Sequence, residues 1–320
     1  EQLLLLDNNE SGLHDLVSEL RHALAQQHLP DVLLPVVGDI TQPEALDSIF
    51  LRHHPQQVFH AAAYKHVSWM EKFPLQAIRT NLLGTHNVLQ AGLACGAERL
   101  LLVSSDKAAD PSSVMGATKR LCEMLVLADQ HAPLQVAAVR FGNVLGSRGS
   151  VVPTFERQIE RGGPVTVTDS RMRRYFISVD EAVSLLLAAN ALSQGRDLFM
   201  LEMGEEVAIL ELAHRMIRLR GLRPEIDIPI TFSGPGPGEK LSEQLAGAGE
   251  SQEPTSVPGI VQVKGTRRLD SAAANRLVNR FQALLQTEDE AAALDLLWTS
   301  VRPGVELTGL PVFEQAVDGS

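Results

Sequence analysis

The chain is poor in several things, and each shortage excludes a class of protein. It has two cysteines, Cys95 and Cys122, in 320 residues. Two thiols cannot build a disulfide scaffold or a cysteine-based zinc site, so a reducing compartment is the simplest setting. No grouping of His, Cys, Asp and Glu has metal-ligand spacing, and no metal is expected. Positive charge is scarce: 28 Lys and Arg face 39 Asp and Glu, a net charge of −11. That disfavours nucleic acid and anionic membrane as partners, because both reward positive charge. No apolar run is long enough to span a bilayer, so no membrane contact is expected from this chain itself. No signal peptide is visible either. Glu1 supplies no basic flank, and Leu3 to Leu6 is too short.

What is present is a full-sized core and a repeating pattern. Apolar residues make up 44% of the chain. Leu3 to Leu6, Val32 to Val37, Val58 to Ala63, Leu100 to Val103 and Val136 to Val139 read as buried strands. Between them lie helical spacings: one after a cap at Ser11, one through Ala45 to Phe50, one over 75–94 and one over 115–128. Continuous apolar strands alternating with amphipathic helices predict an α/β fold, a doubly wound parallel sheet covered on both faces. Beyond Phe141 glycines break the pattern. Helices return at 179–192 and 209–220, 226–232 is strand-like, and 246–258 reads as a loop. Two helices near 272–285 and 288–298 close the chain. The division expected is a nucleotide-binding domain over 1–142 with 176–203 returning to it. A smaller substrate-binding region, together with the terminal helices, then comprises 143–175 and 204–320.

Doubly wound folds that bind dinucleotides open on a strand, a glycine-rich turn and a helix N-terminus that holds the pyrophosphate. No such element stands before Leu3. The one dense glycine stretch, Ser233 to Gly238, carries two prolines and reads as a loop. Asp7 ends the first strand, where an acidic residue usually meets the adenosine ribose. The expectation is that Leu3 to Asp7 is the second strand of the fold, the first strand and its turn lying upstream.

Three stretches concentrate reactive side chains. Ser105, Asp106 and Lys107 follow a buried strand, at the end where open α/β sheets bind ligands. Met115 and Lys119 sit one helical turn apart, so both can face one ligand. Arg140 to Pro153 carries Gly142, Gly146 and Gly149, which allow close approach of the backbone.

These stretches, with His60 to Val67, Thr80 to Thr85, Val114 to Arg120, Arg174-Tyr175-Phe176 and Pro237 to Leu241, resemble the extended short-chain dehydrogenase/reductase superfamily. More narrowly, they resemble the polysaccharide-biosynthesis group that contains bacterial UDP-N-acetylglucosamine 4,6-dehydratases. The resemblance runs from Leu3 to about Leu245. Met115 stands where the superfamily usually has Tyr, as in the long, membrane-anchored members of the group. That likeness implies a parent protein in the bacterial inner membrane, with this part on its cytoplasmic side and a homo-oligomeric state. Gly236 departs from the group, which has Arg there, and so do Ser256 to Gly259.

The resemblance implies NAD as cofactor and a UDP-sugar as substrate, processed for surface polysaccharide, O-antigen or capsule. In such dehydratases NAD oxidises C4 of the sugar, which acidifies the hydrogen on C5, and returns the hydride to C6 once water has left. Lys107 is then the C5 base, Asp106 the acid at C6, and Ser105 the partner of the C4 oxygen. Lys119 bonds the nicotinamide ribose, and Met115 shapes the pocket without exchanging protons. Asp7, Asp39, Ile40, Ala61, Ala62, Ala63 and Asn81 complete the cofactor side. Lys65, Asn143, Arg174 and Glu239 are the expected substrate contacts, Arg174 because a guanidinium suits a diphosphate. Two other readings stay open: a nucleotide-sugar 4-epimerase, which needs no acid–base pair at C5 and C6, and a non-catalytic nucleotide-sugar-binding domain.

Overall fold

The computed structural model describes residues 2–128, 133–147 and 149–302. Arg148 of the glycine-rich stretch and residues 303–320 lie outside them. The first half alternates strand and helix: β1 (Leu3–Asp7), α1 (Glu10–Gln26), β2 (Leu33–Val37), α2 (Pro43–His53) and β3 (Gln57–His60). Two short helices follow, α3 (Val67–Met70) and α4 (Pro74–Ala77). A π-helical segment (Ile78–Leu83) then runs straight into α5 (Gly84–Cys95). Next come β4 (Arg99–Val103), a single 3₁₀ turn (Asp106–Ala108), α6 (Val114–Val126) and β5 (Gln135–Arg140).

The second half has shorter strands. They are β6 (Asn143–Val144), α7 (Val151–Glu160), β7 (Val165–Val167), β8 (Arg173–Arg174), β9 (Phe176–Ile177) and α8 (Val179–Leu192). After them come β10 (Asp197–Leu201), β11 (Val207–Ala208), α9 (Ile209–Leu219), β12 (Ile230–Phe232), β13 (Ser251–Pro254) and β14 (Ile260–Lys264). Helices α10 (Ser271–Gln286) and α11 (Glu290–Val301) finish the described chain.

The central sheet has six strands in the order β13-β14-β10-β5-β4-β3. β3, β4, β5 and β10 are parallel, and β14 and β13 add an antiparallel edge. The inner strands β4, β5 and β10 are largely apolar because both their faces are covered. Leu100, Leu102, Val136, Ala138, Leu198 and Met200 face a core shared with α5, α6, α10 and α11. Their neighbours Leu101, Ala137, Val139, Phe199 and Leu201 face a second core with α8. This period of two is the pleat itself. A third core, with Phe155, Val165, Ile217 and Ile230, unites α7, α9, β7 and β12 apart from the sheet.

β1 and β2 pair with each other, parallel, and form a separate two-stranded sheet. Among the described residues no strand joins β1 to β3, yet Leu6 of β1 and Val58 of β3 pack on the same core.

Several expectations are corrected. The first helix is capped by Asn9, whose Oδ1 accepts from the Gly12 amide at 3.0 Å, not by Ser11. Only Ile230–Phe232 of the strand-like 226–232 is extended in a ladder. The expected loop 246–258 contains β13, a polar, fully exposed edge strand whose side chains carry no apolar alternation. Residues 251–264, assigned to the substrate-binding region, extend the central sheet instead, and α10 and α11 pack on its main core. The helix expected over 75–94 is wound as a π-helix at Ile78–Leu83.

Candidate active site

β4 ends at Val103, and the Ser104 amide continues the ladder by donating to the Val139 carbonyl at 2.8 Å. This pins the following turn against β5. Ser105 stays extended and caps the 3₁₀ turn that carries Asp106 and Lys107. Asp106 is buried. Its Oδ1 accepts from Ser105 Oγ at 2.8 Å, from the Lys107 amide at 2.9 Å and from Lys107 Nζ at 3.0 Å. Its Oδ2 is buried with no hydrogen-bond partner among the described residues. A buried acceptor without a partner costs about 1–3 kcal/mol, so such atoms are rare unless a ligand or a proton completes them.

Helix α6 passes behind this turn. Its cap is Ser113, which accepts from the Gly116 amide at 3.1 Å. A Cβ on Gly116 would stand 2.5 Å from the Lys107 carbonyl oxygen, so only glycine lets helix and turn touch. Met115 and Lys119 are both buried. Lys119 Nζ donates to the Val103 carbonyl at 2.6 Å. Burial holds its amine below the usual lysine range, against the opposing influence of Cys122 and Glu123.

Beneath the site lies a buried ion cluster. Arg140 Nε and Nη2 donate to Glu123 at 2.8 and 2.7 Å, and Nη1 donates to Glu250 at 2.6 Å. Arg120 donates to Glu250 at 2.7 Å, and Ser104 Oγ to Glu123 at 2.6 Å. Burial alone would raise the Glu250 carboxyl, but the hydrogen bond and charge of Arg140, with Arg120, hold it down at about 2. The cluster ties the ends of β4 and β5 to α6.

The facing wall is built by β8, β9 and the loop before β13. The Asn143 amide donates to the Tyr175 carbonyl at 3.0 Å, and Asn143 Oδ1 accepts from Lys107 Nζ at 3.4 Å. Gly238, at φ +75°, lies where a Cβ would meet Ser113 at 2.7 Å. Ser112 Oγ donates to its carbonyl at 3.0 Å, and Lys240 Nζ pairs with Asp110 at 2.7 Å. This clamps the loop over the N-terminus of α6. Arg174 is buried and spends its guanidinium on main-chain carbonyls of Arg173, Lys240 and Leu241, at 2.7, 2.8 and 3.2 Å. Glu239 turns back on its own loop, its Oε2 accepting from the Gly236 amide at 3.1 Å.

The remaining expected residues line the C-terminal ends of the parallel strands. Asp7 accepts from the Asn9 amide at 2.8 Å, and Asp39 from the amide and hydroxyl of Thr41 at 2.8 and 2.9 Å. Ile40 is buried, and its carbonyl accepts from Asn87 at 2.9 Å. Ala61, Ala62 and Ala63 follow β3, the first two exposed. Buried Asn81, on the π-helical segment, holds both main-chain groups of Tyr64 and donates to Thr118 Oγ1 at 3.0 Å. Lys65 is exposed. His60 is a buried structural group rather than a ligand. Its Nε2 lies 2.9 Å from Thr85 Oγ1, which itself donates to the Asn81 carbonyl, so Nε2 carries the proton. Burial, helped by the Lys119 charge, lowers this histidine to about 3. Cys122 is buried and Cys95 half-buried.

The fold therefore brings Ser105, Asp106, Lys107 and Asn143 into one contact network, with Met115 and Lys119 behind it. Sequence reasoning missed Glu123, Glu250 and Glu243. Glu123 had a signal, since it is one turn beyond Lys119 and stands among Leu121, Cys122, Met124, Leu125 and Val126. Among the described residues no group of His, Cys, Asp and Glu could hold a metal ion, and no helix is long and apolar enough to cross a membrane.

Comparison with known proteins shows the family of the chain. The chain is 42% identical over 261 residues to "Probable polysaccharide biosynthesis protein EpsC" of Bacillus subtilis, covering 81% of this chain and 43% of that one. It is 44% identical over 252 residues to "Capsular polysaccharide biosynthesis protein CapD" of Staphylococcus aureus, covering 78% and 41%. It thus spans less than half the length of these two relatives. A UDP-glucose 4-epimerase of Rickettsia typhi is 32% identical over 267 residues, covering 82% and 74%. Among solved structures, Pen from Bacillus thuringiensis superposes with a TM-score of 0.73 at 29% identity, covering 84% and 82%. MoeE5 in complex with UDP-glucose and NAD gives 0.59 at 26%, covering 76% and 88%. Residues 1–265 match the family described as "Polysaccharide biosynthesis protein", and the chain belongs to that family.

Proposed function

We propose that the chain is the catalytic part of an NAD-dependent sugar-nucleotide 4,6-dehydratase acting on UDP-N-acetylglucosamine. In this reading it makes UDP-4-keto-6-deoxy-N-acetylhexosamine for a surface polysaccharide. The observation that carries the reading is the Asp106–Lys107 pair, whose buried Oδ2 has no hydrogen-bond partner among the described residues. A carboxyl at that place, protonated on Oδ2, can donate to a departing C6 hydroxyl. Lys107 Nζ, 3.0 Å from Oδ1 of the same carboxyl, can take the C5 proton. One proton passes from carbon to amine and another from carboxyl to leaving water. The pair ends as ammonium and carboxylate; the ammonium, after exchange with solvent, returns a proton to C5 when C6 is reduced, and the proton released from the C4 hydroxyl restores the carboxyl. Ser105 Oγ, which donates to Asp106 Oδ1, is the hydroxyl this reading assigns to the C4 oxygen. Arg174 serves chiefly by holding the segment 240–243 against the site.

NAD, when bound, supplies the reversible oxidation at C4 that acidifies C5. The row of strand ends fits it. Asp7 would offer a carboxylate to the adenosine ribose, Asp39 and Ile40 would hold the adenine, and the alanines after β3 would allow close approach. Asn81 fixes the turn at Tyr64, and Lys119 would bond the nicotinamide ribose. A parallel strand from outside the described residues, ending in a glycine-rich turn, would join β1 to β3. Such a turn would bring backbone amides to the pyrophosphate. We place this part on the cytoplasmic side of a larger, membrane-anchored bacterial protein, and its partial coverage of EpsC and CapD supports that reading.

The second reading, a 4-epimerase, is favoured by the R. typhi relative. Epimerisation needs no group at C5 or C6, and a buried acid with a free oxygen beside an amine has no task in it. The test is incubation of the full-length protein with UDP-N-acetylglucosamine in deuterated water, followed by NMR. A 4-keto-6-deoxy product with deuterium at C5 is expected. A C4-inverted hexosamine without C5 deuterium would establish the epimerase instead.

A further inference from the structure

Glu243 belongs to no motif singled out in the sequence, and it lies against the reacting pair. Its side chain is 7% exposed, and Oε1 stands 3.9 Å from Lys107 Nζ and 3.9 Å from an Arg174 guanidinium nitrogen. The segment that carries it is fixed at two points: Arg174 binds the carbonyls of Lys240 and Leu241, and Lys240 pairs with Asp110. A carboxylate this buried beside two cations is held by them, because an unpaired one would be expensive. Burial pushes its carboxyl up, and Lys107, Arg174 and Lys240 oppose that while Asp106 reinforces it.

The amine of Lys107 thus has three oxygens around it: Asp106 Oδ1 at 3.0 Å, Asn143 Oδ1 at 3.4 Å and Glu243 Oε1 at 3.9 Å. Asp106 and Lys107 are adjacent in the chain, and their contact alone leaves the lysine stem free to swing. Glu243 and Asn143 approach from other elements and close that freedom. We propose that Glu243 is a positioning residue that fixes the amine of Lys107 for removal of the C5 proton. This inference rests on the dehydratase reading. It adds no proton-transfer step, and Arg174 is the link through which the loop 236–243 transmits its own position.

The test uses the full-length protein as wild type, Glu243→Gln and Glu243→Asp. With UDP-N-acetylglucosamine in deuterated water, Glu243→Gln is expected to slow deuterium entry at C5 by about tenfold or more, the scale of a displaced catalytic group. The absorbance of reduced nicotinamide that marks C4 oxidation should persist at its wild-type amplitude. Glu243→Asp should recover part of the loss. A purely structural role would lower both steps together, and that result, or an unchanged C5 rate, would overturn the inference. A second readout needs no turnover: acetic anhydride labelling of lysines, followed peptide by peptide by mass spectrometry. Freed from Glu243, Lys107 should label about fivefold faster, the scale of one lost ion-pair contact; an unchanged rate overturns the inference. If the wild type does not react with the sugar nucleotide but Lys107 labelling still responds, the dehydratase reading fails and the placement of Glu243 stands. If Glu243→Gln does not fold, Glu243→Asp carries both measurements, with a smaller change of the same sign.

Discussion

The acid–base corner and the nucleotide rim of this molecule are held in opposite ways. At the rim, Asp7 bonds Asn9 and Asp39 bonds Thr41, each two residues on in sequence. At the corner, Lys107 meets Asn143 and Glu243, and Arg140 joins Glu123 to Glu250 across 17 and 110 residues. Local turns can form with little help from the fold. Long-range buried bonds exist only when the whole α/β core has closed. The corner is therefore a product of folding, whereas the rim is decoration on strand ends. Substitutions should separate the two accordingly.

The largest effect should come from Lys107→Met. Loss of a proton-transfer group costs about 10²–10⁴-fold in rate, so turnover should fall by about a thousandfold. The thermal midpoint should fall as well, since buried Asp106 and Glu243 lose their shared cation. Turnover assays beside thermal melts check both halves. Next in size is Glu250→Gln, which leaves Glu123 as the one carboxylate in the cluster facing both Arg140 and Arg120. Breaking a buried pair costs about 3–5 kcal/mol, and urea unfolding should show that loss.

Acid should act on the same corner. Glu250 is held at about 2 in the folded chain, against 4.5 ordinarily, and buried His60 at about 3, against 6.5. In both cases the unfolded chain takes up a proton that the folded chain refuses. Stability from these groups is complete above their unfolded values and is lost as pH falls, from 6.5 toward 3 for His60 and from 4.5 toward 2 for Glu250. Melting curves across this range should show a falling midpoint, and His60→Gln should flatten the upper part.

The smallest structural effect belongs to the rim. Asp39→Ala should cost about 1 kcal/mol of stability, because it removes hydrogen bonds within one half-buried turn. It should weaken NAD binding by about tenfold, the size of one hydrogen bond to a charged group. Calorimetric titration of the full-length protein measures the second, and an equal loss of fold and binding would erase the contrast between the two regions.

Much of the corner was legible because its chemistry follows a strong signal. Leu100 to Val103 reads as a buried strand, so Ser105, Asp106 and Lys107 fall at its ligand-facing end. Met115 and Lys119 were placed by helical spacing. Glu243 was not legible, because it follows the glycine–proline stretch 234–238, where no periodicity fixes direction. β13 was hidden for a related reason: Ser-Gln-Glu-Pro is polar on both faces, and only its partner β14 makes it a strand. The diphosphate role expected of Arg174 rested on the Arg-Tyr-Phe motif and on guanidinium chemistry, while in the structure its guanidinium donates to main-chain carbonyls. The π-helical winding that places Asn81 arises from packing, which composition does not reveal.

The central claim is that the Asp106–Lys107 pair does its chemistry at C5 and C6. The most direct measurement is the rate at which solvent deuterium enters C5 of UDP-N-acetylglucosamine, compared between wild type and Lys107→Met. The account predicts entry coupled to formation of the 4-keto-6-deoxy sugar in the wild type, and none above background in the variant. Undiminished entry in Lys107→Met would contradict it.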